Sequence, residues 1–377
     1  MTISRFSFPT DIQFGPGASK LVGAHLRERG FSRPLIVTDK GLAALPVLKN
    51  FVATLGDELH ASLFAGVQGN PAASQAMQGR EAFRQHQADS VIGIGGGAAL
   101  DIAKVVALMA THEGNVIEYA WDHPNVRPIS GDLPYVLAVP TTSGTGSEVG
   151  RSSVVSDDTT HVKQVIFSPK LLAKAVFADP ELTLDLPPAV TAATGMDALT
   201  HNIESYLSPA FHPLCDGIAL EGVRIAARAL RTAVKDGHNL QARADMMMAS
   251  MMGAIAFQKD LGAVHSCAHA LGAVCDLHHG LANALMLEPV MRFNLETARA
   301  KFAELAHVVG AGNAEEFVPW LMRLKREIGI APSLSAVGVK PTQISALVDI
   351  AEKDICHQTN PRPCTRADFT RFFEQAM

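Results

Sequence analysis

A short β-branched run leads directly into three glycines and then into a helical pattern in the first third of the chain. The run Val91–Ile94 precedes Gly95, Gly96 and Gly97, and helical periodicity continues over Leu100–Leu108. Glycines in such a turn let backbone N–H groups approach a ligand, and the positive end of a helix favours an anion. The segment therefore predicts a strand–turn–helix unit that holds a phosphate group.

The rest of the first half alternates strand-like runs with helical stretches. Strands are predicted at Pro34–Thr38, Ser90–Ile94, Tyr135–Val139 and Gln164–Phe167. Helices are predicted at Leu42–Leu55, Ser74–His86 and Leu100–Ala110. This alternation is typical of a parallel sheet whose strands are joined by crossover helices.

The second half shows helical periodicity only. After Asp179–Leu182 the strand signals end, and helices are predicted at Asp216–Val234, Arg243–Gln258 and Thr297–Val309. The length of 377 residues exceeds the ~250 to 300 residues that one core serves, so we expect two domains. The predicted boundary lies near Leu184, with an α/β nucleotide-binding domain over residues 1–184 and an all-helical metal-binding domain over residues 185–377.

Composition excludes several classes of protein. The net charge of −5 argues against a nucleic-acid partner, which would require a concentration of Lys and Arg. Residues 1–16 lack the pattern of a secretion signal, and no stretch reaches ~18 apolar residues, so we expect neither export nor a membrane partner. The five cysteines form an odd set without a Cys-x-x-Cys motif, which favours a reducing cytoplasm.

Two further features at strand ends indicate a nucleotide crevice. Asp39 follows the run Leu35–Thr38, where a carboxylate can accept hydrogen bonds from an adenosine ribose and repel a 2′-phosphate, favouring NAD over NADP. Asp39 could equally begin the turn Asp39–Gly41. The second feature is a turn rich in glycine and hydroxyl groups, Pro140–Glu148, which follows another predicted strand and offers small donors to phosphate or ribose oxygens.

The helical half contains a carboxylate and several histidines at metal-binding spacing. Asp197 and His201 are four residues apart, so on a helix they share one face. The same spacing separates His265 from His269, and two further histidines, His278 and His279, follow them. One carboxylate and three imidazoles suit Fe²⁺ or Zn²⁺. Spacing alone does not choose among these four later histidines.

Four motifs together resemble the iron-containing, group III alcohol dehydrogenase family. They are Gly-Gly-Gly-x-x-x-Asp-x-x-Lys at 95–104, Pro-Thr-Thr-x-Gly-Thr-Gly-Ser-Glu at 140–148, Gly-Met-Asp-Ala-Leu-Thr-His at 195–201 and His-x-x-x-His-x-Leu-Gly at 265–272. The resemblance extends from Phe14 to Arg362. It implies a nucleotide-binding α/β domain, a helical metal domain and an active site in the cleft between them.

The resemblance also assigns site residues. It matches Asp197, His201, His265 and His279 to the metal ligands, and His269 to a nearby catalytic histidine. The cofactor-binding positions are Asp39, Asn70, Gly96, Gly97, Ala98, Asp101, Thr141, Thr142, Thr145, Val154, Lys163 and Leu182. Ala98 replaces the usual serine of the family, which removes a hydroxyl donor and costs the phosphate contact about 1 kcal/mol.

Local stretches look especially similar to bacterial 4-hydroxybutyrate dehydrogenases, among them Pro209–Pro213 and Ala256–Lys259. A carboxylated substrate would need a cation, for which Lys259, Arg151 and Arg362 are candidates, although such residues are more often on the surface or ion-paired.

The resemblance implies an NAD-linked, iron-dependent oxidoreductase that acts on a primary alcohol, diol or ω-hydroxy acid, with Zn²⁺ as the alternative ion and a homo-oligomer, dimeric or larger, as the assembly. His269 could then relay the alcohol proton towards solvent. The alternatives are a zinc-dependent polyol oxidation of the glycerol dehydrogenase kind, a lyase of the dehydroquinate synthase kind and a non-catalytic binding protein on the same scaffold.

Overall fold

The computed structural model describes residues 8, 10–160 and 162–377. Two compact units divide these residues. The first, called the sheet unit below, comprises residues 10–142, 146–160 and 162–183. The second, called the helical unit, comprises residues 8, 143–145 and 184–377. The segment 143–145, within the second glycine-rich turn, therefore belongs to the helical unit.

A six-stranded sheet forms the centre of the sheet unit. Its strands are β1 (Asp11–Phe14), β2 (Pro34–Asp39), β3 (Ser62–Val67), β4 (Ser90–Gly95), β5 (Tyr135–Pro140) and β8 (Ala175–Ala178). They are arranged in the order β1-β8-β5-β4-β2-β3, and every neighbouring pair is parallel. The prediction of a parallel α/β fold is confirmed.

The order of the strands defines a switch point between β2 and β4. From β2 the chain moves to β3 on one side, whereas β4 and β5 lie on the other. In open α/β sheets, ligands bind beyond the carboxyl ends of the strands at such a point. The residues that follow β2 and β4, beginning with Lys40 and Gly96, are therefore placed where a ligand is expected.

Two strands form a separate antiparallel hairpin, β6 (Ser152–Ser156) and β7 (Lys163–Phe167). The prediction that Gln164–Phe167 joins the parallel sheet is therefore wrong. Parallel neighbours require a crossover of a dozen or more residues, and the short segment 157–162 allows only an antiparallel return.

The helices of the sheet unit are α1 (Val22–Glu28), α2 (Lys40–Ala43), α3 (Pro46–Thr54), α4 (Ala73–His86) and α5 (Gly97–Thr111). The single helix predicted over Leu42–Leu55 is wrong, because the structure has two. Proline has no N–H to donate and is best accommodated in the first turn of a helix, so Pro46 begins α3 rather than continuing α2.

The helical unit consists of eight α-helices within the described residues, in agreement with the predicted all-helical half. They are α6 (Pro188–Leu207), α7 (Pro213–Lys235), α8 (Leu240–Ala256), α9 (Ala263–Cys275), α10 (His279–Val308), α11 (Ala314–Glu327), α12 (Ile344–Ala351) and α13 (Arg366–Ala376). A shared apolar core, including Met196, Leu199 and Leu271, packs both α6 and α9 against α10. None of the described helices is long and apolar enough to cross a membrane.

Candidate metal centre and nucleotide-binding edge

Helix α6 presents the first two candidate ligands from one buried face. Asp197 and His201 lie one helical turn apart and are both 3% exposed. Burial lowers the pKa of His201 to about 4, although the charge of Asp197 opposes this shift. His201 is therefore neutral near pH 7 and can offer a nitrogen lone pair.

The other two candidate ligands come from helices joined by a tight connection. His265 lies in the first turn of α9, whereas His279 is the first residue of α10. Between them Asp276 ends α9 in the left-handed conformation, with φ of 50°, and the chain reverses within a few residues. This reversal brings His279 back beside His265, with ring centroids 5.4 Å apart.

The four side chains converge on one point of the helical unit. One ligand atom from each of Asp197, His201, His265 and His279 lies within 4.8 Å of the others. Asp197 Oδ1 is 3.5 Å from His279 Nε2 and 3.9 Å from His265 Nε2. One carboxylate with three imidazoles is a donor set that suits Fe²⁺ or Zn²⁺, so the residues present fit a divalent ion. The exposed His278 lies outside this cluster.

Two residues that contact the ligands were not identified from the sequence. Glu204, one turn beyond His201, hydrogen-bonds to His265 Nδ1 at 2.6 Å. Burial raises the pKa of Glu204 to about 7, although hydrogen bonds from the backbone N–H groups at the start of α9 oppose this shift. Asn283, one turn after His279, donates from Nδ2 to Asp197 Oδ1 at 2.7 Å. Helical spacing from His201 and His279 was the signal that could have indicated both residues.

His269 lies beside the cluster without belonging to it. Its ring stacks on that of His279 at a centroid distance of 5.5 Å, and its Nδ1 hydrogen-bonds to Asp354 Oδ2 at 2.7 Å. Burial alone would raise the pKa of Asp354, but the positive charge and hydrogen bond of His269, with hydrogen bonds from Cys356 N–H and Ser266 Oγ, lower it well below its usual range. Asp354 was also not identified from the sequence.

In the sheet unit, the predicted cofactor residues gather at the carboxyl ends of the parallel strands. Asp39 ends β2, Gly96 is the N-cap of α5 directly after β4, and Thr141 follows β5. The backbone N–H of Thr141 donates to the Gly95 carbonyl at 3.0 Å, which joins the residue after β5 to the end of β4. Gly95 has φ of 147°, and a Cβ there would lie 2.7 Å from that of Ala99, so the turn requires glycine.

The remaining predicted positions in this unit follow other strands of the same sheet or lie on the hairpin. Asn70 follows β3 and Leu182 follows β8. Ser156 connects Asn70 to the hairpin, because its N–H donates to the Pro71 carbonyl at 2.7 Å and it pairs with Lys163. Gly97 and Ala98 lie in the first turn of α5, and Thr142 is next to Gly96, whereas Thr145 belongs to the helical unit.

Asp101 and Val154 form part of a buried network. Asp101 is 7% exposed, and its carboxylate accepts hydrogen bonds from Ser147 Oγ at 2.5 Å and from the Val154 N–H at 2.9 Å. The buried Lys104 donates to the same Ser147 hydroxyl at 2.7 Å. These contacts fix the end of the second glycine-rich turn against α5. Direct contact of Asp101 and Val154 with a cofactor remains a prediction.

Each of the three candidate cations for a carboxylated substrate has another partner. Lys259 is 1% exposed and forms an ion pair with Asp216. Arg362 pairs with Glu296 at 2.7 Å and stacks on an aromatic ring. Arg151 lies over the ring of Phe167, 5.4 Å from its centroid. These contacts favour structural roles for all three.

Comparison with known sequences identifies the class of protein that this fold and site define. Residues 9–180 match the model of iron-containing alcohol dehydrogenases, and residues 191–377 match that of the C-terminal region of the same family. The chain therefore belongs to the iron-containing alcohol dehydrogenase family. The predicted resemblance is confirmed, and with it the prediction of an alcohol dehydrogenase.

Individual relatives extend over the whole chain. The sequence is 37% identical over 377 residues to a 4-hydroxybutyrate dehydrogenase of Cupriavidus necator, with 98% of each chain covered. The structure resembles that of a 1,3-propanediol oxidoreductase at a TM-score of 0.95 and 37% identity, with both chains fully covered. A sulfoacetaldehyde reductase from Bifidobacterium kashiwanohense, solved in complex with NAD⁺, gives a TM-score of 0.90 at 26% identity, covering 100% of this chain and 99% of that one.

Proposed function

We propose that this protein catalyses the NAD(H)-linked interconversion of a primary alcohol and its aldehyde at a divalent metal held by Asp197, His201, His265 and His279. The observation that carries the proposal is the convergence of these four donors within 4.8 Å. A divalent ion there would supply Lewis-acid polarisation of the alcohol oxygen, and NAD would supply the hydride acceptor. Fe²⁺ is the proposed ion, as the family name suggests, and Zn²⁺ is the alternative because the same donors accept it.

His269 is the proposed proton-transfer residue. Its contact with Asp354 occupies Nδ1 and leaves Nε2 as the ring nitrogen available to the alcohol proton. The His269 side chain is 20% exposed, compared with 1% for His265, so a proton held there has access to water. Asp354 orients the ring through this hydrogen bond.

The nucleotide is proposed to bind the carboxyl edge of the sheet at the β2–β4 switch point, through the twelve cofactor positions given above. Phosphate would meet the N–H groups at the start of α5, with Gly96 as N-cap, and the carboxylate of Asp39 would accept from the ribose. The negative charge of Asp39 favours NAD over NADP. A relative solved in complex with NAD⁺ supports the same choice.

The preferred substrate is proposed to be an uncharged short-chain alcohol or diol. Lys259 and Arg362 are neutralised by acidic partners, which weakens the case for recognition of a substrate carboxylate. An ω-hydroxy acid is the second candidate substrate, because one relative is named 4-hydroxybutyrate dehydrogenase.

The compartment and the assembly are also proposals. None of the five cysteines forms a disulfide, which supports a reducing compartment such as the cytoplasm. A homo-oligomer, dimeric or larger, is proposed and can be measured by light scattering.

The test is anaerobic purification with metal analysis, followed by NADH detection with 1-butanol, 1,3-propanediol and 4-hydroxybutyrate. We expect about one Fe²⁺ or Zn²⁺ per chain and the highest kcat/KM with an uncharged substrate. A higher kcat/KM with 4-hydroxybutyrate would overturn the substrate preference alone. Protein that carries metal but forms no NADH with any of the three would overturn the proposed activity.

A further inference from the structure

Glu204 is a buried carboxylate that contacts a metal ligand and is not itself a ligand. It is 2% exposed, and its two oxygens have different partners. Oε2 lies 2.6 Å from His265 Nδ1, and Oε1 accepts the N–H of Val264 at 2.8 Å. Both contacts are at the start of α9, so Glu204 holds the first turn of that helix as well as the imidazole.

The local sequence provides the space for this carboxylate. Gly262 is the N-cap residue of α9, and a Cβ there would lie 2.6 Å from Glu204 Oε1 and 3.0 Å from the side-chain oxygen of Asn360. A distance of 2.6 Å is shorter than any ordinary carbon–oxygen contact, so only glycine allows the carboxylate to approach. The position of the Glu204 carboxylate therefore depends on glycine at residue 262.

The donors and acceptors around His265 select one tautomer. An ionised Asp197 carboxylate can only accept, so the Asn283 group 2.7 Å from it must be the amide nitrogen. The same nitrogen is 3.2 Å from His265 Nε2 and 3.3 Å from His279 Nε2, and because an amide nitrogen donates and does not accept, His265 Nε2 faces it with a lone pair rather than a hydrogen. A neutral imidazole has one N–H, so the hydrogen is on Nδ1 and is donated to Glu204.

We infer that Glu204 is a positioning residue that holds His265 as the Nδ1–H tautomer and thereby directs the Nε2 lone pair towards the metal centre. The inference rests on the proposed metal site and deepens it. A ligating histidine binds a metal through the nitrogen that has no hydrogen, and a partner on the other nitrogen fixes ring and tautomer before the ion arrives.

The test compares Co²⁺ binding by the metal-free protein and its Glu204→Gln variant. Glutamine fills the same space but has one oxygen, so it cannot accept from both Val264 N–H and His265 Nδ1–H. If the glutamine oxygen keeps the hydrogen bond from Val264 N–H, its NH₂ group faces His265 Nδ1. That arrangement favours the other tautomer of His265, in which the hydrogen is on Nε2. We expect Co²⁺ affinity to fall by about 10- to 100-fold, whereas the Tm of the metal-free protein stays unchanged. Glu148→Gln, the same change at an equally buried site in the sheet unit, should leave Co²⁺ affinity unchanged.

The visible absorption of bound Co²⁺ separates positioning from general destabilisation. Saturated Glu204→Gln should give a spectrum that differs from that of the wild type, because the imidazole of His265 no longer directs a lone pair to the ion. Unchanged affinity in Glu204→Gln would overturn the inference alone. Weaker binding with a wild-type spectrum and a lower metal-free Tm would also overturn it, because the role would be structural. Wild-type protein that binds no Co²⁺ would overturn the proposed metal site and the inference with it.

Discussion

His269 Nδ1 and Asp354 Oδ2 are 2.7 Å apart, and one turn earlier on α9 His265 Nδ1 makes the corresponding contact with Glu204. Both rings therefore present Nε2. They differ in exposure, because the His265 side chain is 1% exposed and that of His269 is 20% exposed. A buried, neutral imidazole suits a metal ligand, whereas one with access to water suits proton transfer.

Alanine substitutions should separate these two roles. We expect His265→Ala to abolish metal retention, because it removes one of the four clustered donors. His269→Ala should keep the metal and lower kcat by about 100- to 10,000-fold, the usual contribution of a general acid or base. Metal content and kcat of both purified variants are the measurements. Equal loss of metal from the two would contradict this division of roles.

Asp354→Asn should remove a contribution to stability that depends on pH. Folding lowers the pKa of Asp354 below its unfolded value of about 3.9, so the carboxylate stabilises the native state above that pH. The contribution is lost as pH falls through the lower, folded pKa. We therefore expect the difference in unfolding free energy between wild type and Asp354→Asn to be largest near neutral pH and to shrink below about pH 4.

Denaturant titrations of the metal-free proteins from pH 7 to about pH 3 measure this difference. Metal-free proteins are used because loss of a bound ion at low pH would otherwise contribute to the measured difference in unfolding free energy. A difference that stays constant across the range would show that the charge of Asp354 does not contribute.

The central strands could be predicted closely from the sequence. β2, β4 and β5 each end one residue beyond the prediction, since strands buried on both faces of a parallel sheet appear as continuous apolar runs. The β6–β7 hairpin could not be predicted in this way, because an apolar run such as Val165–Phe167 does not show whether its neighbouring strand is parallel or antiparallel. The break between α2 and α3 does have a local sequence signal, because proline is best accommodated in the first turn of a helix and Pro46 begins α3.

The site was only partly predictable, and the reason is distance along the chain. Asp197 and His201 are one turn apart, so their spacing is visible in the sequence. Glu204 and His265 are 61 positions apart, and Asp354 lies 85 positions from His269. Helical spacing places Glu204 one turn after His201, but acidic residues are mostly solvent-exposed, and the local sequence does not show which histidine either carboxylate contacts.

Gly280 should be essential for the position of His279. A Cβ at Gly280 would lie 2.2 Å from the Ala193 carbonyl oxygen and 3.2 Å from Asp197 Cβ. Gly280→Ala must therefore push α10 away from α6, which should cost about 1 to 3 kcal/mol in unfolding free energy and weaken metal binding. Gly217 on α7 is the control, because its Cβ would meet nothing within 4 Å.

Gly217→Ala should raise stability by about 0.5 to 1 kcal/mol, the helix preference of alanine over glycine, and leave metal affinity unchanged. Denaturant unfolding and Co²⁺ titration of both variants provide the comparison. Normal metal affinity in Gly280→Ala would mean that α6 and α10 can separate without moving the ligands.

Asp39 has two roles that substitutions can separate. Its Oδ1 caps α2 by accepting the Leu42 N–H at 2.8 Å, and its charge is proposed to exclude the 2′-phosphate of NADP. Asn is as good a helix cap as Asp, so Asp39→Asn should keep stability and shift the ratio of kcat/KM values for NAD and NADP about tenfold towards NADP. Asp39→Ala should shift the same ratio and also lose about 1 kcal/mol of stability with the cap. The ratio of kcat/KM values for NAD and NADP could instead stay unchanged in Asp39→Asn while Asp39→Ala loses stability. That result would show that the Asp39 carboxylate caps α2 but does not select the cofactor.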